Sequence, residues 1–244
     1  MAKRILTVFA HPDDAETMAG GTLLKWAAEG HGITLCLITD GDKGTADPDD
    51  TREAVIARRR AEQARAAARL RAEVVTLGYE DGVLQPTIAL RRDLVRVMRR
   101  VRPDIVVAGD PTVWFRHDTY INHPDHRAAA QAAVEALYPA VKKAAIFPEL
   151  RAEGLEPHVV REVWLGPTDQ PGTWVDIGGV LEAKIALICE HASQFQPEAA
   201  RAAFTRIARE AGQPRGIEYA ESFRTLRLSA STLRAIAGDE TARG

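Results

Sequence analysis

Short apolar runs alternate with longer amphipathic segments along most of the chain. The runs at 5–10 and 33–39 have the length of buried strands, and each is followed by aspartates with a proline or a glycine. Residues 16–29 lie between them, have the length of a helix and are followed by Gly30. Along the whole chain the pattern predicts strands at 5–10, 33–39, 72–77, 104–108, 144–147, 161–165, 173–177 and 222–228, and helices at 16–29, 52–71, 88–101, 125–137, 180–191 and 198–211.

This order of elements indicates the fold class. Strands separated by helices of about ten to twenty residues are typical of βαβ units, in which the strands are parallel and helices cover the sheet. We therefore predict an α/β fold with a doubly wound, mostly parallel sheet. Proline and glycine are spread along the chain and no polar linker interrupts the pattern, so residues 1–244 are expected to form a single domain.

Charge and composition exclude several classes of function. A formal net charge of −2 over 244 residues provides no basic surface for nucleic acid or for an anionic membrane. No apolar run reaches the length of about 18 residues that a transmembrane helix needs, and the N-terminus lacks the features of a signal peptide. The two cysteines, Cys36 and Cys189, lie in apolar segments and form no disulfide framework. A cytoplasmic protein that acts on a small molecule is the expectation.

Two polar strings carry the candidate chemistry. They read Ala10-His11-Pro12-Asp13-Asp14-Ala15-Glu16 and Asn122-His123-Pro124-Asp125-His126-Arg127. Neutral imidazoles together with carboxylates suit a borderline divalent metal ion, Zn²⁺ first. A catalytic zinc site takes three protein ligands and keeps a fourth position for water. The two strings, brought together by the fold, would supply three ligands and leave one carboxylate for proton transfer.

The predicted topology brings these strings together. Ligands of open α/β sheets bind at the carboxyl ends of the strands. The first string directly follows the first predicted strand, and the second follows the fourth. Asp40-Gly41-Asp42 follows the second strand and Asp81-Gly82 the third. This common edge favours a functional site over the alternative in which Asp13, Asp14 and Asp125 only cap helices.

The residue types suggest metal-assisted hydrolysis of an amide. In this hypothesis a metal ion is bound by His11, Asp14 and His126, and Asp13 is the general base. His123, in its charged form, would stabilise the developing oxyanion, and Asp125 would orient His123. Two alternatives stay open, in which His123 is a fourth, structural ligand and Asp125 an N-cap. A dinucleotide-binding domain is the competing class, but no G-x-G-x-x-G follows the first strand.

Across nearly the whole chain, the motifs resemble those of the PIG-L/LmbE-like zinc-dependent N-deacetylases. The matching residues are the first string, His123-Pro124-Asp125-His126 of the second, Gly20-Gly21-Thr22, Thr39-Asp40-Gly41 with Gly44, Arg59, Glu62, Ala66-Ala67, Leu70, Leu77, Asp81-Gly82 and His191-Ala192-Ser193-Gln194. The resemblance implies a Rossmann-like sheet in a three-layer α/β/α arrangement. It also implies zinc on His11, Asp14 and His126, Asp13 as base and His123 as oxyanion stabiliser.

The resemblance implies an N-acetylated amino sugar as substrate, such as an N-acetylglucosamine derivative, and a homo-oligomer, either a trimer or a hexamer. An amidase acting on a thiol conjugate or another small-molecule amide is the alternative, and Fe²⁺, Co²⁺ or Mn²⁺ would also fit the ligands. Arg59, Asp81 and Asn122 are assigned to substrate binding, although Arg59 is equally explained as a solvated charge. His191 is interpreted as helix packing. The loop 112–120, together with loops such as 148–157, is expected to supply the contacts that determine the substrate.

Overall fold

The computed structural model describes residues 1–116 and 120–228 of the chain. Its strands are β1 (Arg4–Phe9), β2 (Gly32–Thr39), β3 (Glu73–Tyr79), β4 (Ile105–Ala108), β5 (Phe115–Arg116), β6 (Tyr120–Ile121), β7 (Glu162–Leu165), β8 (Thr173–Asp176) and β9 (Ala220–Arg227). Its helices are α1 (Asp14–Ala28), α2 (Arg52–Leu70), α3 (Ile88–Val101), α4 (Pro124–Leu137), α5 (Glu149–Ala152), α6 (Leu181–Ile188) and α7 (Pro197–Gly212).

The centre of the molecule is a seven-stranded sheet in the order β3-β2-β1-β4-β7-β9-β8. The first five strands of this order pair in parallel, whereas β9 is antiparallel to both β7 and β8. The prediction of a doubly wound, mostly parallel sheet is therefore confirmed. Because β1 pairs with β2 on one side and with β4 on the other, the strand order reverses there, and this is where ligands bind in such sheets.

Helices cover both faces of the sheet, and the alternation of side chains along each strand divides the core in two. Leu6 and Val8 of β1 pack in one cluster with residues of α3 and α4. Ile5 and Phe9 of the same strand pack in the other cluster with residues of α1, α2 and α6. Strands buried on both faces appear in the sequence as continuous apolar runs, as seen here. The three-layer α/β/α arrangement is confirmed.

The strand predicted at 144–147 is wrong. The backbone there turns, and the buried guanidinium of Arg99 binds one carbonyl group of this segment and others just before it. Arg99 Nη2 donates to the carbonyl oxygens of Ala140 and Lys143 at 2.9 Å each and to that of Ile146 at 3.2 Å. Carbonyl groups that converge on one side chain are not available to a neighbouring strand.

Two further differences concern the edge of the sheet that bears the polar strings. The hairpin β5–β6 was not predicted, since two-residue strands leave no periodic pattern. Helix α6 ends at Ile188, earlier than the predicted 191, so His191 lies in the turn that follows. Residues 117–119 of the loop expected to determine the substrate lie outside the described residues.

Across residues 1–116 and 120–228, no helix has the length and apolar character needed to cross a bilayer. Cys36 is buried in β2 and Cys189 is half-buried after α6. The single-domain organisation and the cytoplasmic location stay predictions.

Candidate metal centre and active site

The turn between β1 and α1 presents the first polar string. The backbone N–H of His11 donates to Asp14 Oδ2 at 2.8 Å, which closes the turn at the first residue of α1. Asp13 has a φ of 96°, a left-handed conformation that costs a non-glycine residue energy. Among the described residues, the Asp13 side chain makes no capping bond to α1. The helix-cap alternative is therefore not supported for Asp13, whose strained backbone directs the carboxylate elsewhere.

Three side chains from the two polar strings converge beside this turn. His126 Nε2 lies 3.0 Å from Asp14 Oδ1. His11 Nδ1 lies 3.3 Å from His126 Nε2 and 3.5 Å from Asp14 Oδ2. Tetrahedral ligands about 2.0–2.1 Å from a zinc ion lie about 3.3 Å from one another, so this spacing fits a divalent metal ion of that size. A nitrogen of His123 also lies within 4.8 Å of nitrogens of His11 and His126, so the fourth-ligand alternative for His123 stays open.

Two carboxylates lie behind His11 and orient its ring. His11 Nε2 lies 3.0 Å from Asp81 Oδ1 and 3.4 Å from Asp125 Oδ2. A proton on Nε2 faces these oxygens and leaves the Nδ1 lone pair directed at Asp14 and His126, as in many metal-bound histidines. Burial opposes protonation of His11, but the carboxylates of Asp125, Asp14 and Asp81 outweigh it and raise the His11 pKa.

The positions of Asp125 and Asp81 differ from the sequence-based assignments. Asp125 was expected to orient His123, yet its fully buried carboxylate accepts the backbone N–H groups of Gly82 and Leu84, at 2.6 and 3.2 Å, and faces His11. Only the backbone N–H of Asp125 reaches His123. Asp81 was assigned to substrate binding, but it lies behind His11 and accepts the backbone N–H of Lys43 at 3.1 Å. The carboxylates of both residues thus face His11 Nε2.

Asp13 lies beside the three converging side chains and is bound by Arg59. Arg59 Nη2 donates to Asp13 Oδ2 at 2.8 Å and also to the carbonyl oxygen of Pro12. Burial and the negative charge of Asp14 raise the pKa of the Asp13 carboxyl well above its ordinary value, while the positive charge of Arg59 opposes the rise. A carboxylate with a raised pKa accepts a proton more readily, which suits a general base.

The loop after β2 encloses Arg59. Only 4% of Arg59 is exposed, which contradicts the reading as a solvated charge. A Cβ on Gly44 would lie 2.0 Å from Arg59 Nη1, and one on Gly41 would lie 2.9 Å from Arg59 Cζ. A Cβ at either position would displace the guanidinium, so glycine lets the loop approach Arg59 this closely. Arg59 was assigned to substrate binding, and the structure places it against Asp13.

His123 precedes α4 and faces the other histidines. Its Nδ1 accepts the backbone N–H of Asp125 at 3.2 Å, so its ring proton is on Nε2. Burial and the neighbouring His11 and His126 lower the His123 pKa. The structure thus favours a neutral imidazole that donates through Nε2, where the sequence suggested the charged form.

Asn122 connects the β5–β6 hairpin to this site. Its Nδ2 donates to the carbonyl oxygen of Val113 at 2.8 Å, and its backbone N–H donates to that of Trp114 at 2.9 Å. Asn122 also lines a cavity together with Asp14 and His126. The side-chain nitrogen of Asn122 is thus already bound to the carbonyl group of Val113. The assignment of Asn122 to substrate binding stays a prediction.

Comparison with known proteins identifies the family. Residues 6–137, which contain both polar strings, match the profile of the PIG-L family, described as GlcNAc-PI de-N-acetylase. The chain belongs to the PIG-L family. The predicted family and the predicted class, a hydrolase of N-acetyl amide bonds, are thereby confirmed.

Individual relatives extend the match beyond the family profile. The chain is 34% identical to the diacetylchitobiose deacetylase of Thermococcus kodakarensis over 91% of this chain and 82% of the relative. It is 29% identical to the 1D-myo-inositol 2-acetamido-2-deoxy-alpha-D-glucopyranoside deacetylase of Rhodococcus erythropolis, over 79% of this chain and 81% of that protein. The solved structure of N,N'-diacetylchitobiose deacetylase from Pyrococcus horikoshii, bound to its inhibitor MPG, is 31% identical, with a TM-score of 0.85 over 93% of this chain and 84% of that one.

Gln63 lies at the PIG-L site and was not singled out from the sequence. Gln63 lies one helical turn after Arg59, and its Oε1 accepts the backbone N–H of Asp13 at 3.4 Å. The spacing of these two residues on α2 was the available signal. His191 was interpreted as packing, and it is indeed fully buried, but it lies 3.8 Å (Nε2 to Oε2) from Glu16, a second fully buried polar residue.

Proposed function

We propose that this chain is a metal-dependent hydrolase that removes the N-acetyl group from an amino sugar of the N-acetylglucosamine type. The observation that carries the proposal is the convergence of His11 Nδ1, His126 Nε2 and the Asp14 carboxylate within 3.5 Å of one another. Asp13, a carboxylate outside this group, lies next to it in the chain. The similarity to deacetylases of two N-acetylglucosamine derivatives supports the choice of substrate class.

The donor set consists of two imidazoles and one carboxylate, and it fits a divalent metal ion. His11, Asp14 and His126 would bind it, with Zn²⁺ preferred and Fe²⁺, Co²⁺ or Mn²⁺ compatible with the same ligands. When bound, such an ion supplies Lewis-acid chemistry that polarises the amide carbonyl and makes water more acidic. Asp81 and Asp125 keep the His11 ring turned so that Nδ1 stays available.

Asp13 performs the proton transfers. Its carboxylate takes a proton from the attacking water and later gives it to the nitrogen of the departing amine, so that the products are acetate and the free amino sugar. Arg59 holds the Asp13 carboxylate in place at 2.8 Å. His123 donates from Nε2–H to the carbonyl oxygen, on which negative charge accumulates in the transition state.

An assay of primary-amine release tests the proposal. Protein reconstituted with Zn²⁺ is offered N-acetylglucosamine, N,N'-diacetylchitobiose, an N-acetylglucosaminyl inositol and an amide of a thiol conjugate. We expect amine release from at least one acetylated sugar, loss of activity with a chelator and its return with Zn²⁺. Asp13→Asn, which preserves the shape of the side chain, is the inactive control. Turnover of the thiol conjugate alone, or of no compound by fully loaded protein, would contradict the sugar deacetylase.

The predicted trimer or hexamer remains part of this proposal. Light scattering coupled to size exclusion gives the mass directly, and a mass equal to the 26.7 kDa of one chain would refute it.

A further inference from the structure

Helix α2 has a polar face that is buried. Glu62 and Gln63 lie one helical turn after Arg59, and Arg59, Glu62 and Gln63 are 4%, 4% and 1% exposed. Buried polar groups need partners, and two of these three contact the turn that bears Asp13. Arg59 binds the Asp13 carboxylate, and Gln63 accepts the backbone N–H of Asp13. The position of α2 therefore determines where Asp13 is held.

The third residue of this face, Glu62, is bound from the far part of the chain by segment 191–194. Its Oε1 accepts the backbone N–H of Ser193 at 2.8 Å, and its Oε2 accepts the Ser193 hydroxyl at 2.7 Å. Gln194 Nε2 donates to the carbonyl oxygen of Gly44 at 2.8 Å. One short segment thus binds both α2 and the loop after β2.

The contact of Gln194 lies beside Arg59, and that of Ser193 lies one helical turn further along α2. Gln194 binds the carbonyl oxygen of Gly44. Gly44 lies so close to Arg59 that a Cβ on Gly44 would overlap Arg59 Nη1. At the start of segment 191–194, His191 packs against Glu16 of α1, and Glu16 Oε1 in turn accepts Gln63 Nε2 at 2.7 Å. Segment 191–194 therefore contacts α1, α2 and the loop after β2 that contains Gly41 and Gly44, here called the glycine loop. These elements surround the Arg59–Asp13 pair.

We propose that segment 191–194 is a positioning element for the catalytic carboxylate. Ser193 fixes α2 through Glu62, and Gln194 fixes the glycine loop that encloses Arg59, so that the guanidinium stays against Asp13. The assignment rests on the proposed function only in that Asp13 acts as the base. Neither Ser193 nor Gln194 contacts the substrate in this role.

The first test needs neither activity nor metal. Metal-free protein is treated with phenylglyoxal, which modifies accessible arginines, and the rate at Arg59 is followed by peptide mass spectrometry. Ser193→Ala and Gln194→Ala are expected to speed modification of Arg59 about 10-fold, because local opening becomes easier. Gln131→Ala removes a comparable hydrogen bond, from the side-chain amide of Gln131 to Glu135 on the exposed face of α4. This variant should leave the rate of Arg59 modification unchanged. Unchanged modification of Arg59 in both segment variants would overturn the proposal.

The second test separates positioning from general stability. Ser193→Ala and Gln194→Ala should lower kcat about 10- to 100-fold with KM unchanged, since misplacement of a catalytic group affects the chemical step. Ser193→Thr retains the hydroxyl and should restore kcat. In an Arg59→Ala background, Gln194→Ala should cause no further loss, because it acts through Arg59. If the losses in kcat caused by Arg59→Ala and Gln194→Ala multiply in the double variant, Gln194 does not act through Arg59. If the parent protein deacetylates no sugar, the proposed function fails, while Arg59 modification still decides the role of the segment.

Discussion

Asp13 lies between two opposing electrostatic influences. Burial and the adjacent Asp14 carboxylate raise its pKa, and the guanidinium of Arg59 lowers it. The balance leaves the Asp13 pKa well above its ordinary value. A base must be unprotonated to act, so activity falls as the pH drops through this raised pKa.

The first prediction concerns the acid limb of the pH profile. Arg59→Ala removes the charge that lowers the Asp13 pKa, so the acid limb of kcat/KM is expected to move to higher pH. Arg58→Ala is the matched control, since Arg58 pairs with Asp50 at the surface and should leave the limb in place. An acid limb that stays in place or moves to lower pH in Arg59→Ala would mean that Arg59 does not control the base.

The second prediction concerns His123. His123→Ala should lower kcat about 10²–10³-fold with KM and metal stoichiometry nearly unchanged, because the bond to the oxyanion forms only in the transition state. Since the lowered pKa makes His123 neutral, it contributes no alkaline limb, and any alkaline limb of the parent should persist in the variant. Loss of metal together with activity would instead identify His123 as a ligand.

At the scale of elements, the glycine loop after β2 shows how backbone determines side-chain position. Gly44→Ala should lower kcat about 10²-fold with metal retained, because its Cβ would displace the Arg59 guanidinium from Asp13. Gly172→Ala is the control, since a Cβ there meets nothing within 4 Å. A parent-like kcat in a folded Gly44→Ala protein would show that the loop after β2 does not hold Arg59 against Asp13.

A buried ion pair joins α1, α6 and β9. Glu221 Oε1 accepts Lys184 Nζ at 2.7 Å and the N–H of Gly21 at 2.8 Å, and Oε2 accepts the backbone N–H and the hydroxyl of Thr22. Glu221→Ala leaves Lys184 buried without its charge partner and should lower the free energy of unfolding by about 3–5 kcal/mol. Urea denaturation measures this. Glu182→Ala, which breaks the exposed pair with Arg201, should leave the midpoint unchanged. A similar shift in both variants would contradict a special role for the buried pair.

The elements themselves were mostly predictable, and the exceptions have a physical cause. Apolar runs of strand length bounded by turns identify β1, β2 and β4, since burial on both faces requires such runs. The same pattern at 144–147 failed because Arg99, distant in sequence, binds the carbonyl group of Ile146 and that of Lys143 just before the segment. A run of four residues does not by itself show which partner its backbone will find.

At the scale of the whole molecule, topology made the site predictable and long-range pairing limited the prediction. Parallel strands with a reversal of order at β1 bring the loops after β1 and β4 together, which is why His11 and His126 could be placed at one site. Which carboxylate orients which histidine depends on side-chain direction, so Asp125 was assigned to the wrong ring. The bond of Ser193 to Glu62 spans 131 positions, and no local pattern reveals it.

The last prediction follows from the position of the metal centre between these two loops. His11 and Asp14 precede or begin α1, whereas His126 belongs to α4, so a bound ion would connect both helices across the reversal in strand order. An ion that binds only the folded state stabilises it by about 4 kcal/mol at a thousandfold excess over its Kd. Zn²⁺ should therefore raise the Tm of the parent and of Asp13→Asn. In His11→Ala, Asp14→Ala and His126→Ala, both the increase in Tm and tight metal stoichiometry should be lost. Full metal occupancy in any two of these three variants would show that the ligands have been assigned to the wrong residues.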